Sequence, residues 1–512
     1  MASPESVSEQ SAPESNSAEA LRPALHGSVM AVLLLVLAGG LLAPIWTVPF
    51  PPLMDYPNHL ASAFVLARLQ DTAYHFSQFF GADWSTYPYL TMDVLLVGLQ
   101  RFMSIDLAGR LFLSLTVLSV PAAAWFFIRR VNPGEENLVF WSLLVSNNLY
   151  FFRFGFLNLQ LSMAICFLLL GLWVRYLDHP RVAAWCLLLL VSTALYFTHI
   201  VGFAVAGVVM TAYAWSARRP LKDVAYAWAL YIPGAIFYLH AVVGHGPRGV
   251  VQFRAITDKI GSLVAVMVGC SPIIDLLTLA ALLGVLAWAQ IDNPDFQWNR
   301  PWRRVTWILF LFYWLLPAAI GPATNVDKRL LPFVFVLSLA GAKVGARGRK
   351  LAMIAIALFL IRAGAMERYF ISLKPHLAKL SAALSVISPG SRVLPLVDWA
   401  GGAPMPERHF WAYGVIDRGW ISPCLFHDPG VHPFALKPGT YDPCGLAMTP
   451  STKLDWGRVG TDFDYVWAYK VPQFTSTLSS IGKTVFEGEN LQVFRIGKAV
   501  EDGKDIQHLP IP

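Results

Sequence analysis

Residues 27–60 read GSVMAVLLLVLAGGLLAPIWTVPFPPLMDYPNHL: an uncharged apolar run over 28–47, a Pro-rich turn, then Asp55, Tyr56, Pro57, Asn58 and His59. A helix needs about 20 apolar residues to cross a bilayer, and the run supplies them. It lacks an A-x-A cleavage site, so it reads as an uncleaved first span rather than a signal peptide. Upstream, residues 1–27 begin MASPESVSEQSAPESNSAEA, polar, acidic and Ser-rich, which predicts a disordered tail.

Working outward from that stretch, further apolar runs fall at 107–128, 138–152, 159–177, 181–198, 203–217, 223–243, 273–289, 304–320, 330–345 and 351–366. Together they predict a polytopic α-helical membrane protein of about eleven spans. Composition agrees, with 14% charged residues against roughly 25% in soluble domains. Cations crowd the short loops on one side, among them Arg129, Arg130, Arg218, Arg219, Lys222, Arg303, Arg304, Arg347, Arg349 and Lys350. The positive-inside rule then puts the N-terminus and these loops in the cytoplasm, with the chain in the inner (cytoplasmic) membrane. The net charge of +7 is thereby a topology signal, and no nucleic-acid partner is implied.

The opposite side carries the long connections. The expected layout is a cytoplasmic tail (1–27), a transmembrane domain (28–366) with an external loop (48–106), and an extracytoplasmic C-terminal domain (367–512). Within the loop, Pro57 suits a helix start because the N–H it lacks would be unpaired there anyway. Leu60, Phe64, Val65 and Leu69 follow at helical spacing, which predicts an amphipathic helix on the membrane surface. Asp55 precedes that helix and His59 lies one turn on. As a carboxylate at a helix start, Asp55 has two readings: a capping group, or a general base held where lipid-borne and aqueous substrates meet. Asp83 and Tyr87-Pro88-Tyr89 lead into a second external segment, too short and polar to span.

A single span, a long external loop with an early acid, many further spans and an external C-terminal domain resemble the GT-C glycosyltransferases, membrane enzymes that take sugars from polyprenyl-phosphate carriers. The matching features are Asp55, Tyr87-Pro88-Tyr89 and Leu107-Ala108-Gly109-Arg110-Leu111. Family members often carry Arg and Asp in the next external loop; here Arg153-Phe-Gly-Phe-Leu-Asn158 has Asn in place of the acid. The resemblance implies Asp55 as catalytic base, a polyprenyl-phosphate-linked sugar as donor and a lipid or glycan as acceptor. It leaves a divalent cation open, and no metal ligand is assigned.

Other polar groups are expected on the same face. His199, His240 and His245 fall at outer helix ends, where a lone His is either a satisfied end residue or part of a site. Asp327-Lys328-Arg329 opens the tenth span, as a loop ion pair or as a clamp for the carrier phosphate, with Arg153 a second clamp candidate. His59, Asp83, Asn158 and His199 complete the candidate substrate-binding set. No GKS/T loop, GxGxxG, GxSxG, HExxH or CxxC pair occurs, so ATP, dinucleotide and zinc-protease chemistry have no support.

After a helix over 367–387, strands at 392–398, 464–469, 484–486 and 491–495 predict a small α/β domain. It holds Cys424 and Cys444, in a compartment that permits a disulfide; Cys166, Cys186 and Cys270 sit in or near the spans. Two rival functions stand beside the transferase: a lipid or polysaccharide transporter, for which Arg362 is the main buried-charge candidate, and a non-catalytic envelope assembly protein.

Overall fold

The structure, a computed structural model, describes residues 16–147, 150–242, 251–269, 271–291, 296–321, 323–399, 403–427, 430–447 and 453–496. His245, Cys270 and tail residues 1–15 fall outside them. Helices dominate the described chain up to Leu384, and a small mixed sheet follows.

Most predicted apolar runs are helical, and those at 107–128, 159–177, 181–198, 203–217 and 273–289 lie within three residues of the expected bounds. The first helix, Asn16–Trp46, starts earlier than expected, within the stretch read as tail, because Ala18, Glu19, Ala20 and Leu21 are strong helix formers continuous with the apolar run. Ile105–Val131 opens with the Ser104 side chain capping the Leu107 N–H and ends on Arg129 and Arg130, which favour the C-terminal end of the helix dipole. It packs along Leu157–Asp178. These two helices are each long and apolar enough to cross a membrane. Leu221–Ala229 and Ile232–Ala241, bent by 41°, qualify only as a pair. Met30–Trp46, Val182–Thr198, Ile200–Ser216 and Pro272–Gly284 are shorter apolar helices.

One predicted span is different in kind. Residues 136–145 form a 3₁₀ helix, followed after a break by the short helix Tyr150–Phe154. The 3₁₀ segment packs against Gly348–Leu384 and Ile105–Val131, and Trp141, Leu143, Leu144 and Val145 are buried. Its apolarity serves protein contacts, and an apolar run alone cannot separate that from a span. Gly348–Leu384 runs as one helix across the expected boundary at 366/367.

The C-terminal sheet has strand order 482–487, 491–496, 465–469, 393–397. The first three strands are antiparallel and the last pair is parallel. Val393–Val397 and Tyr465–Tyr469 are buried at every position, which accounts for their unbroken apolar sequences. Pro395 is tolerated because its strand is an edge.

The helix after Asp55, Tyr56–Ala67, corrects another expectation. It is no surface helix: Tyr56 to Asn58 and Leu60 to Leu66 are all buried. Leu90–Leu99 packs on it from one side, and the C-terminal segments Pro406–Ala412 and Tyr413–Arg418 cover it from another. Strand Phe80–Ala82 pairs antiparallel with Phe434–Leu436, stitching the first loop to the C-terminal domain. The Cys424–Cys444 disulfide is formed, with Cα atoms 5.2 Å apart, and closes the loop that carries this pairing.

Candidate functional site

Two glycines let the Asp55 turn approach its supports. Gly109 in Ile105–Val131 faces the Tyr56–Ala67 helix, where a Cβ would collide with the Tyr56 hydroxyl. Gly155 has φ +88°, and a Cβ there would lie 3.1 Å from the Asp55 nitrogen. Across this contact Met54 N–H donates to the Arg153 carbonyl and Asp55 N–H to the Phe154 carbonyl, both at 2.9 Å. Arg110 fixes the loop entrance by donating to the carbonyls of Ile45, Val48 and Pro49 at 2.6, 3.0 and 2.6 Å.

Asp55 occupies the cap position of its helix, yet its carboxylate makes no capping hydrogen bond. It faces the C-terminal domain instead, with Oδ1 3.5 Å from His409 Nε2. Burial pushes its pKa up from the usual 3.8 to about 7, against the opposing fields of Arg408 and Arg329. Both cations rest on one aromatic row. Arg408 lies 3.9 Å over Trp399, Trp399 is 6.2 Å from Phe154, Phe154 is 5.4 Å from Phe156, and Arg329 lies 4.8 Å over Phe156. Tyr150, 4.4 Å from Phe154, carries the Lys328 ammonium at 5.0 Å. Lys328 is buried, its backbone N–H donates to Asp327 Oδ1 at 2.9 Å while its ammonium rests on the ring, and burial and Arg254 shift it below its ordinary pKa against the opposing charge of Asp327. The Nε atoms of Arg329 and Arg408 are buried without partners. Burying cations is costly unless something pairs with them, so this surplus is suited to an anionic ligand.

Arg329 leads to a second cluster. Its Nη1 donates to the Tyr89 hydroxyl at 3.0 Å, and Tyr89 also bonds His199 Nε2. His199 Nδ1 accepts from the Val201 N–H at 3.0 Å, and its Nε2 meets both the Tyr89 hydroxyl and Arg329 Nη1, the latter at 3.2 Å. Burial and Arg329 hold that ring well below the usual histidine pKa. Asn158 donates to the Tyr89 carbonyl at 3.0 Å. His432 lies 6.0 Å from Tyr89 and 6.0 Å from His59, which also meets Phe426 at 4.9 Å. Burial lowers the His59 pKa to about 4, so it is a neutral wall at ordinary pH.

The structure thus joins Asp55, His59, Asn158, His199 and Arg329 through rings, with Lys328 beside them on Tyr150. It does not join Arg153 or Asp83 in the same way. Arg153 donates its Nη1 to the Gly269 carbonyl and its Nη2 to the Tyr369 hydroxyl at 2.9 Å, much as Arg329 donates its own Nη2 to the Thr324 carbonyl at 2.9 Å. Asp83 is exposed and accepts from Tyr87. His240 bonds Thr86. Among the described residues no three His, Cys, Asp or Glu side chains converge as a metal site. Arg408 and His409 have no counterpart among the sequence-stretch candidates near Asp55, since they reach it from a turn more than 350 positions away. A separate cleft of about 380 Å³ lies between Gln78–Phe80 and the C-terminal domain, where Arg458 covers the Tyr441 ring at 4.0 Å and pairs with Asp462.

No protein-family model matches the chain, and no curated protein matches it in sequence.

Proposed function

We propose that this chain is a membrane glycosyltransferase of the GT-C kind, moving a sugar from a polyprenyl-phosphate carrier to a lipid or glycan acceptor. One observation carries the reading: a buried carboxylate, unused as a helix cap and raised to about 7, lies in the fields of Arg408 and Arg329, with the Lys328 ammonium on the adjoining ring. A base poised near neutral pH and a cationic surplus are the two elements that such a transfer requires.

In this reading Asp55 accepts the proton of the acceptor hydroxyl. The acceptor oxygen bonds the anomeric carbon, the bond from that carbon to the carrier phosphate breaks, and the phosphate leaves with the electron pair. Arg329, Arg408 and Lys328 stabilise its charge. Membrane insertion is part of the proposal, with the N-terminus cytoplasmic and the Asp55 face external. Supporting it are the cation asymmetry of the loops and the apolar residues turned outward on several helices, including Leu35 at 72%, Val182 at 81%, Trp215 at 71%, Leu221 at 80% and Ile273 at 73% exposure.

The transporter reading needs working charges within helices. Its candidate, Arg362, is bonded to Asp275 at 2.6 Å and to the Met267 carbonyl at 3.1 Å, a closed structural pair. The test is transfer from a panel of polyprenyl-phosphate sugars by membranes containing the protein. Asp55→Asn should abolish transfer at matched protein level, and Arg329→Ala should weaken use of the donor. Undiminished transfer by Asp55→Asn would remove the assignment.

A further inference from the structure

Asp55 is held by groups from three elements: Arg408 and His409 from the turn at 406–412, Arg329 from the segment ahead of Leu331–Gly341, and its own backbone bond to Phe154. Of these, only His409 comes within contact distance of the carboxylate. How the imidazole is oriented therefore decides what Asp55 meets.

Asn58 fixes that orientation. Its Oδ1 accepts from the Phe426 N–H at 2.9 Å, and its Nδ2 donates to the Cys424 carbonyl at 3.0 Å. Backbone groups cannot exchange donor and acceptor roles, so the amide has one allowed orientation. The second Nδ2 hydrogen then points to His409 Nδ1 at 3.2 Å. An Nδ1 that accepts a hydrogen bond carries no proton. Burial, Arg408 and His59 keep the ring neutral, so its one N–H is on Nε2, the nitrogen 3.5 Å from Asp55.

We infer that His409 is a positioning residue for Asp55, its tautomer set by Asn58 so that the Nε2 proton faces the carboxylate. The carboxylate site is complete only with the C-terminal domain docked, because His409, Cys424 and Phe426 all belong to that domain. The inference rests on the proposed role of Asp55 for its importance to transfer, but not for its test. An N–H dipole aimed at the carboxylate from 3.5 Å favours its charged form, so losing it should raise the Asp55 midpoint.

The full-length protein in lipid nanodiscs is titrated by infrared difference spectroscopy, with Asp55→Asn subtracted to isolate the Asp55 carboxyl band. His409→Gln returns an N–H near the Nε2 position, whereas His409→Asn places its amide near Nδ1 and leaves the Nε2 position empty. His409→Asn should raise the midpoint by about one pH unit, and His409→Gln should move it far less. Asn58→Ala, which keeps the ring but removes its lock, should shift it in the same upward direction. Equal shifts in the Gln and Asn variants, or no shift in either, overturn the inference, since a packing role would not tell them apart. If the band shifts as expected while Asp55→Asn still transfers sugar, positioning stands and the transferase reading falls. An unmoved band with an inactive Asp55→Asn gives the reverse.

Discussion

Asp55 and Asp275 are both buried and both lie near arginines, but they are built to opposite ends. Asp275 and Arg362 form a closed pair: Oδ1 meets the guanidinium at 2.6 Å, while Oδ2 accepts the Gly269 N–H at 2.7 Å. Asp55 sits in the fields of Arg408 and Arg329 without contacting either as an ion pair, and its Oδ1 meets His409 Nε2 at 3.5 Å instead. The closed pair spends its charges on each other, whereas the open one keeps them available to a third group. The same ingredients therefore serve stability in one place and ligand chemistry in the other.

Substitution should separate the two most sharply in rate. With an identified donor and acceptor, Asp55→Asn should lower transfer by about 10²–10⁴-fold. The wild-type rate should fall tenfold per pH unit below about 7, where the carboxylate takes up its proton. Stability should move the other way. The folded pKa is raised above the unfolded value, so the folded state holds the extra proton between 3.8 and about 7. Wild-type stability is accordingly lost as pH rises through that window, and a neutral Asn escapes the loss. The variant should match wild type near pH 4 and be the more stable above pH 7, with about 4 kcal/mol as a ceiling for a three-unit shift. Thermal unfolding in detergent at both pH values checks it; a less stable Asp55→Asn at pH 8 would mean that Asp55 is a structural acid like Asp275.

The closed pair should behave in the opposite sense. Arg362→Ala leaves a buried carboxylate uncompensated and should cost about 3–5 kcal/mol. The paired replacement Arg362→Met with Asp275→Leu should recover most of it, because two neutral side chains owe no desolvation. A double variant as unstable as the single one would show that the charges themselves are needed, and would return Arg362 to the transporter reading.

The contrast between these acids was only half legible in the sequence. Helices at 107–128, 159–177 and 181–198 are written in long apolar runs, and the observed elements keep those bounds. Asp55 and Lys328-Arg329 stand out because charge beside an apolar run is rare. What could not be read was depth. The Leu60, Phe64, Val65 and Leu69 pattern marks one apolar face, but the C-terminal domain roofs the other, so Tyr56–Ala67 is buried on sides that periodicity calls exposed. Likewise Pro-Glu-Arg408-His409-Phe-Trp has no spacing that points to Asp55, and Arg153 reads as a free cation until Gly269 and Tyr369 are seen to take its guanidinium. Contacts that depend on two distant turns meeting leave no local signature.

The disulfide connects the open site to that distant turn. Cys424 supplies the carbonyl that orients Asn58, and the loop it closes spans 20 positions. Replacing Cys424 and Cys444 together with Ser should cost about 3 kcal/mol in the chain-entropy model. The loss should appear as a lower unfolding midpoint, and as faster proteolysis within 424–444 before the helical body is cut. Unchanged cleavage there would mean that the strand pairing of Phe80–Ala82 with Phe434–Leu436 alone holds the loop.

The smallest effect expected lies directly under Asp55, at Gly155. Its φ of +88° is a conformation that L residues enter at a cost of about 1–2 kcal/mol. A Cβ added there would also press on the Asp55 and Tyr56 nitrogens at 3.1 Å each, close to the bond from Asp55 N–H to the Phe154 carbonyl. Gly155→Ala should therefore do two unequal things. Global stability should fall by about that backbone cost, while transfer falls further, because the displaced atoms are those that aim the carboxylate between Arg408 and Arg329. Gly134 offers the control, with φ +91° and open space around its Cβ position. Gly134→Ala should show a similar loss of stability with no separate loss of transfer. If both variants lose activity only in proportion to folded protein, the turn merely tolerates Asp55, and the open arrangement of acid and arginines owes nothing to the glycine beneath it.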